Sequence, residues 1–161
     1  MVLRLDSLPT ASIKSAFLTT AEKILPSTFR CGLSILVVKP VFGLSTASVY
    51  SHLKIPTSPR DQAEAKGSFV GSEMSKVNEG LFNRLQEPAL ELEPALGLLF
   101  EALRKAGAKK PLLCGSGSAI FALFEHDERA IEVAKTLING PARNLIQHTF
   151  ITRQAIKSCD N

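Results

Sequence analysis

Three features of the sequence predict a mixed fold, α/β or α+β, in which a small sheet is covered by helices. Short apolar runs, one of them β-branched, alternate with longer amphipathic stretches. Their junctions carry Gly, Pro and Ser where turns and helix caps need them. At 161 residues the chain has room for one compact domain.

Taken in order, residues 1–30 are crowded with Ser and Thr and carry four bases against two acids. They read as a leader of uncertain order, and residues 31–161 as the folded domain. Leu33 to Val38 is a β-branched run and reads as a strand buried on both faces. Lys39-Pro40 should stop it, because Pro40 cannot donate to a ladder. Gly43-Leu44 turns the chain and Ser45 caps a helix from Thr46 to Leu53, with Val49, Tyr50 and Leu53 on one side. Residues 54–72 hold Pro56, Pro59, Gly67 and Gly71 and read as a loop. A helical region from Glu73 to Leu92 repeats Leu81, Leu85 and Leu92, with Pro88 expected to interrupt it. Pro94 opens the clearest helix, where Leu96, Leu99, Leu103 and Ala106 keep helical spacing. Arg104 and Lys105 suit its last turn and Gly107 its end. Pro111–Cys114 and Ala119–Phe124 read as strands joined by Gly115-Ser116-Gly117-Ser118. Asp127 can cap a helix that runs to Leu137 and ends at Asn139-Gly140. Gln147–Ile156 makes the last strand.

Composition removes several classes of function. Apolar residues make up 45% and charged residues 21%, ordinary globular usage. No apolar run approaches the ~20 residues that span a bilayer, so no membrane partner is expected. The net charge is +4, but no basic stripe stands out and there is no Trp and one Tyr. Nucleic acid, which needs phosphate-facing clusters or stacking platforms, is therefore not an expected partner. Cys31, Cys114 and Cys159 form no CxxC pair, and His52, His126 and His148 have no paired spacing, so no metal site is expected. Reduced thiols point to a cytoplasmic location. The Ser/Thr-rich leader leaves an organellar address as the alternative.

Two motifs stand out. In Gly115-Ser116-Gly117-Ser118 two glycines free the backbone, and successive N–H groups in such a turn can form an anion-binding nest. Taken alone, a Gly-Ser turn between strands is most often only a turn, and no Lys-Ser/Thr follows to make a Walker loop. In the second, Lys39 to Tyr50, the single tyrosine is either a core aromatic or the wall of a pocket for a flat ligand. Lys39, at a strand end, reads as a solvated charge. No residue presents itself as a catalytic base, since Asp61, Asp127 and Asp160 have no paired Lys or phosphate loop around them.

Together the motifs are more specific. Lys39-Pro40, Gly43–Tyr50, Asn83, Pro94 through Gly107-Ala108, and Gly115–Phe124 fall in one order. That order resembles the carboxy-terminal half of the 4-diphosphocytidyl-2-C-methyl-D-erythritol kinase family, within the GHMP kinase superfamily. The resemblance covers about residues 31–156. It implies an α+β fold with a small, mainly antiparallel sheet. It also implies an ATP- and Mg2+-dependent kinase that phosphorylates the 2-hydroxyl of a cytidine-diphosphate sugar alcohol in non-mevalonate isoprenoid synthesis, with an active site between two domains. By the same resemblance Tyr50 matches the aromatic against the cytosine and Thr46 a hydroxyl near the substrate. Gly115, Ser116, Gly117 and Ser118 match the third superfamily motif, which supports the phosphate loop.

Three departures matter. Cys114 stands where Ser is usual in the family, and Ser48 where Glu is frequent. No Pro-x-x-x-Gly-Leu-Gly-Gly-Gly-Ser-Ser ATP loop, and no match to the catalytic Asp and Lys, occurs in the 161 residues. The expectation is a domain inactive alone, binding neither ATP nor Mg2+ by itself, whose partner is an amino-terminal kinase domain. The alternative is a binding or interaction module that kept the fold without catalysis.

Overall fold

The computed structural model describes residues 33–54 and 74–153. The leader expected over residues 1–30 and nearly all of the loop expected over 54–72 lie outside the described residues. Strand β1 (Ser34–Pro40) is the centre of a four-stranded sheet. Its neighbours are β3 (Ile120–Phe124) and β4 (Ile146–Arg153), with β2 (Leu112–Leu113) outside β3. Every pairing is antiparallel, which makes the class α+β. Helix α1 spans Thr46–Ser51, α2 Met74–Gly80, α3 Gln86–Leu92, α4 Ala95–Lys105 and α5 Asp127–Asn139.

Alternation along β1 explains its unbroken apolar run, since both sheet faces are covered. Leu36 and Val38, with Ile120, Ala122 and Phe124 of β3, join the main core against Leu96, Leu99, Phe100 and Leu103 of α4 and Val133 and Leu137 of α5. Ile35 and Val37, with Leu112 and Leu123, form a second cluster under Met74 and Val77 of α2 and Leu81 just beyond it. Each Leu or Phe so buried contributes about 1.5–3 kcal/mol relative to exposure. Helix α4 ends as its sequence dictates. Gly107 takes φ +108°, its N–H donates to Arg104 O at 3.0 Å, and Ala108 N–H donates to Leu103 O at 2.9 Å. That double closure is a Schellman cap.

Strand β1 stops at Pro40, as expected, and Lys39 and Pro40 pair only with β4, across a register shift. Pro40 lacks only an N–H, and the β3 ladder has already ended at Val38↔Ile120. Three local expectations need correction. The region from Glu73 to Leu92 breaks over residues 81–85, not at Pro88. Pro88 is the third residue of α3, where the N–H has no intrahelical acceptor to lose. Asp127 does not cap α5. His126 is the cap residue, and Asp127 accepts a hydrogen bond from the buried Ser34 hydroxyl and pairs with Arg153 at 3.1 Å. Helix α1 ends at Ser51, short of Leu53.

Candidate functional site

The sheet register decides what lies beside the glycine loop. Because Val38 pairs with Ile120, the residues preceding β3 fall alongside Lys39 and Pro40. Lys39 Nζ accordingly donates to Ser118 Oγ at 2.8 Å and lies 3.5 Å from the Phe42 carbonyl. The buried Ser118 hydroxyl donates to that same carbonyl at 2.6 Å. Lys39 is half-buried and engaged, not the solvated charge its position suggested.

The loop itself is held at both ends. Gly117 N–H donates to Cys114 O at 2.9 Å, and Cys114 N–H to Ala119 O at 2.8 Å. Gly115 and Gly117 adopt φ +55° and +91°, conformations that L side chains rarely enter. A Cβ on Gly117 would lie 3.0 Å from both Leu113 Cδ1 and Leu44 Cδ1. Asn83 fastens the loop from the other side. Its amide nitrogen donates to Leu113 O at 2.8 Å and Gly115 O at 2.7 Å, and its amide oxygen accepts from Leu85 N–H at 2.9 Å. Gln86 accepts from Leu113 N–H at 3.1 Å. These bonds account for the break between α2 and α3: Asn83 turns its side chain to the loop.

Helix α1 brings the second motif to the first. Ser45 caps it, accepting from Ser48 N–H at 3.4 Å, and the buried Val49 anchors it to the core. Thr46 Oγ1 and Ser116 Oγ are then 3.0 Å apart, across 70 residues of sequence. Tyr50 follows Thr46 by one turn and is 57% exposed, so it is not a core aromatic. Thr46, Ser116 and the loop glycines thus meet at one place, with Tyr50 open beside it on the same helix.

Cys114, at the start of the loop, has its thiol pushed up to about 12 by desolvation. It is therefore a protonated, inert thiol at neutral pH. Beyond the end of α1, a cleft lined in part by His52, Lys54, Arg84, Glu87 and Glu91 carries both signs of charge, with Lys54 and Glu91 3.5 Å apart. No group of three or more His, Cys, Asp or Glu among the described residues could hold a metal ion. No described helix is long and apolar enough to cross a membrane. Sequence reasoning missed Lys39 and Gln86 as members of this site, and met Asn83 only through the resemblance. Their partners lie 79, 27 and 32 residues away, so no local pattern marks them.

Comparison with known proteins bears on the family and the fold. Residues 68–142 match the family described as GHMP kinases C terminal. The chain is 37% identical over 116 residues to 4-diphosphocytidyl-2-C-methyl-D-erythritol kinase of Rhodopirellula baltica, covering 72% of this chain and 35% of that protein. The kinase of the same name from Exiguobacterium sibiricum is 31% identical over 120 residues, 74% of this chain and 40% of its own length. The fold aligns with a solved 4-(cytidine 5'-diphospho)-2C-methyl-D-erythritol kinase at TM-score 0.57 and 25% identity, covering 80% of this chain and 43% of that one. Homoserine kinase from Cytophaga hutchinsonii, at TM-score 0.58 and 21% identity over 81% of this chain and 43% of its own, shares the fold. The chain spans about two fifths of the length of these relatives.

Proposed function

We propose, from the premise that residues 68–142 carry a GHMP kinase C-terminal domain, that the protein is the substrate-facing half of a kinase. Its acceptor is the 2-hydroxyl of 4-diphosphocytidyl-2-C-methyl-D-erythritol and its donor the γ-phosphate of ATP. The observation that supports this most is the 3.0 Å contact between Thr46 Oγ1 and Ser116 Oγ, which joins the two motifs into one surface. Tyr50 offers that surface an exposed ring with a polar tip. In this reading the ring lies against the cytosine, Thr46 reaches the substrate, and Gly115–Ser118 support the phosphate end.

Phosphoryl transfer is mainly positioning and charge neutralisation. This domain supplies positioning: a rigid loop, a capped helix and an exposed aromatic. The ATP loop and the catalytic Asp and Lys belong, in this reading, to an amino-terminal kinase domain, and ATP with Mg2+ to the intact enzyme, in the cytoplasm. The chain alone is expected to show no turnover.

The test is complementation in vitro. Residues 31–161 replace the carboxy-terminal part of the Rhodopirellula baltica kinase, and the chimera is assayed with ATP, Mg2+ and the cytidine-diphosphate alcohol. Turnover by the chimera, weakened by Tyr50→Ala, supports the reading. A folded chimera that binds ATP but neither binds nor phosphorylates the cytidine-diphosphate alcohol would instead favour a non-catalytic module.

A further inference from the structure

The two edges of the sheet are unlike. The β2 edge is two residues long and follows Pro111, which has no N–H to offer. Both features protect an edge from pairing. The β4 edge is eight residues long, and among the described residues no strand lies outside it. Its register on β1 slips once, at Gln147, between Lys39↔His148 and Pro40↔Ile146. From His148 to Arg153 the ladder is regular, and alternate residues turn their backbone N–H and C=O outward. His148–Thr152 holds no Lys, Arg, Asp, Glu or Pro, the residues that natural edges use to refuse a partner.

The side chains make this edge complementary to itself. His148, Phe150 and Thr152 share the sheet face of Val37 and Ile35. Phe150 is half-buried there, with the His148 ring 5.9 Å away, and His148 and Thr152 are exposed. A two-fold axis normal to the sheet keeps every side chain on its own face. It can therefore set a residue only against one an even number of positions away. With Phe150 opposite Phe150, His148 meets Thr152 twice and Thr149 meets Ile151 twice, all within the regular stretch. No like charges meet, and the half-buried Phe150 gains an aromatic partner.

We propose that β4 is the contact edge of a homodimer, in which two copies of the chain pair antiparallel about Phe150 and join their sheets into one. Backbone hydrogen bonds along His148–Thr152 hold the copies together, and the Phe150 pair fixes the register. The pairing is independent of the kinase reading, and either can fail without the other.

The experiment measures the mass of the full chain by sedimentation equilibrium, from micromolar to millimolar protein. The expected result is a saturable monomer–dimer equilibrium. His148 and Thr152 are exposed, so they can be changed without touching the core. One variant carries His148→Glu with Thr152→Glu, the other His148→Lys with Thr152→Lys, each checked for folding by circular dichroism and melting. In the proposed register each double variant sets like charges opposite one another twice, and should self-associate about tenfold more weakly than the parent. Mixed together, the acidic and basic chains should recover the dimer, and this mixed dimer should weaken as salt rises. A parent that stays monomeric overturns the proposal, whether its β4 amides then exchange freely or are protected by residues 1–32 or 154–161 of the same chain. A parental dimer that neither variant weakens also overturns it, because the second copy then sits elsewhere, as does a mixture that stays dissociated. Should a variant fail to fold, an equal mixture of isotope-labelled and unlabelled parent decides. Nuclear Overhauser contacts between the Phe150 rings of the two copies support the pairing, and their absence from a dimer overturns it.

Discussion

Replacing Gly117 by alanine tests the loop geometry at one atom. The residue sits at φ +91°, where an L side chain costs about 1–3 kcal/mol of backbone strain. The added Cβ also meets Leu113 Cδ1 and Leu44 Cδ1, each at 3.0 Å. Leu113 is 1% exposed and packed in the main core, so it cannot swing away freely. Overpacking of that kind adds about 1–3 kcal/mol. The total is about 2–6 kcal/mol, which at about 2–4 °C per kcal/mol for a domain of this size lowers the melting midpoint by about 4–24 °C. Gly115→Ala is the control, because φ is +55° and a Cβ there meets nothing within 4 Å. It should cost only the left-handed penalty, about 1–2 kcal/mol. The assay is thermal and urea denaturation of both variants with the parent. Equal midpoints for the two variants would refute the packing argument, and a Gly117→Ala midpoint equal to the parent's would refute the strain as well.

Other consequences can be measured on the same chain. Tyr50→Ala should leave the melting midpoint nearly unchanged, because the side chain is 57% exposed. It should weaken cytidine-nucleotide binding by about 1–3 kcal/mol, measured calorimetrically in the chimera. Asp127→Ala strands the buried Ser34 hydroxyl and frees Arg153, and should cost about 1–3 kcal/mol, whereas Ser34→Ala should cost about 1 kcal/mol. Asn78 is buried on α2 with both amide atoms unpartnered, so Asn78→Leu should raise the urea midpoint, and a lowered midpoint would show the amide bonded in solution. The Cys114 thiol rises from 9.0 to about 12 on folding. The unfolded chain therefore loses this proton first, and stability falls as pH rises through that window. Cys114→Ala should reduce the fall relative to the parent in urea titrations from pH 9 to 11, and native-state alkylation at neutral pH should be slow.

What the sequence made legible was local. The Ser45 cap, the Gly107 stop, the Leu96–Leu103 spacing and the doubly buried β1 run each depend on residues within a turn or two of one another. The misreadings at Pro88, Asp127 and Lys39 each involve a partner far along the chain. Pro88 looks like a breaker until Asn83 is seen to spend its amide on the loop 30 and 32 residues on, which places the break earlier. Asp127 looks like a cap until Ser34, 93 residues away, claims it. Lys39 looks solvated because nothing near it in sequence is acidic, and its contact with Ser118 exists only through the β1–β3 register. Of the candidate site, the glycine loop and Tyr50 stand out in the sequence itself, and Thr46 and the roles of all three come from the resemblance. That Thr46 and Ser116 touch required the fold.

The claim that the loop and α1 form one nucleotide-reading surface is tested most directly by titrating the labelled chain with cytidine diphosphate. Amides of residues 46–50 and 115–118 should shift together and fit a single Kd. Two unrelated curves, or shifts confined to the cleft of His52, Arg84 and Glu91, would contradict it.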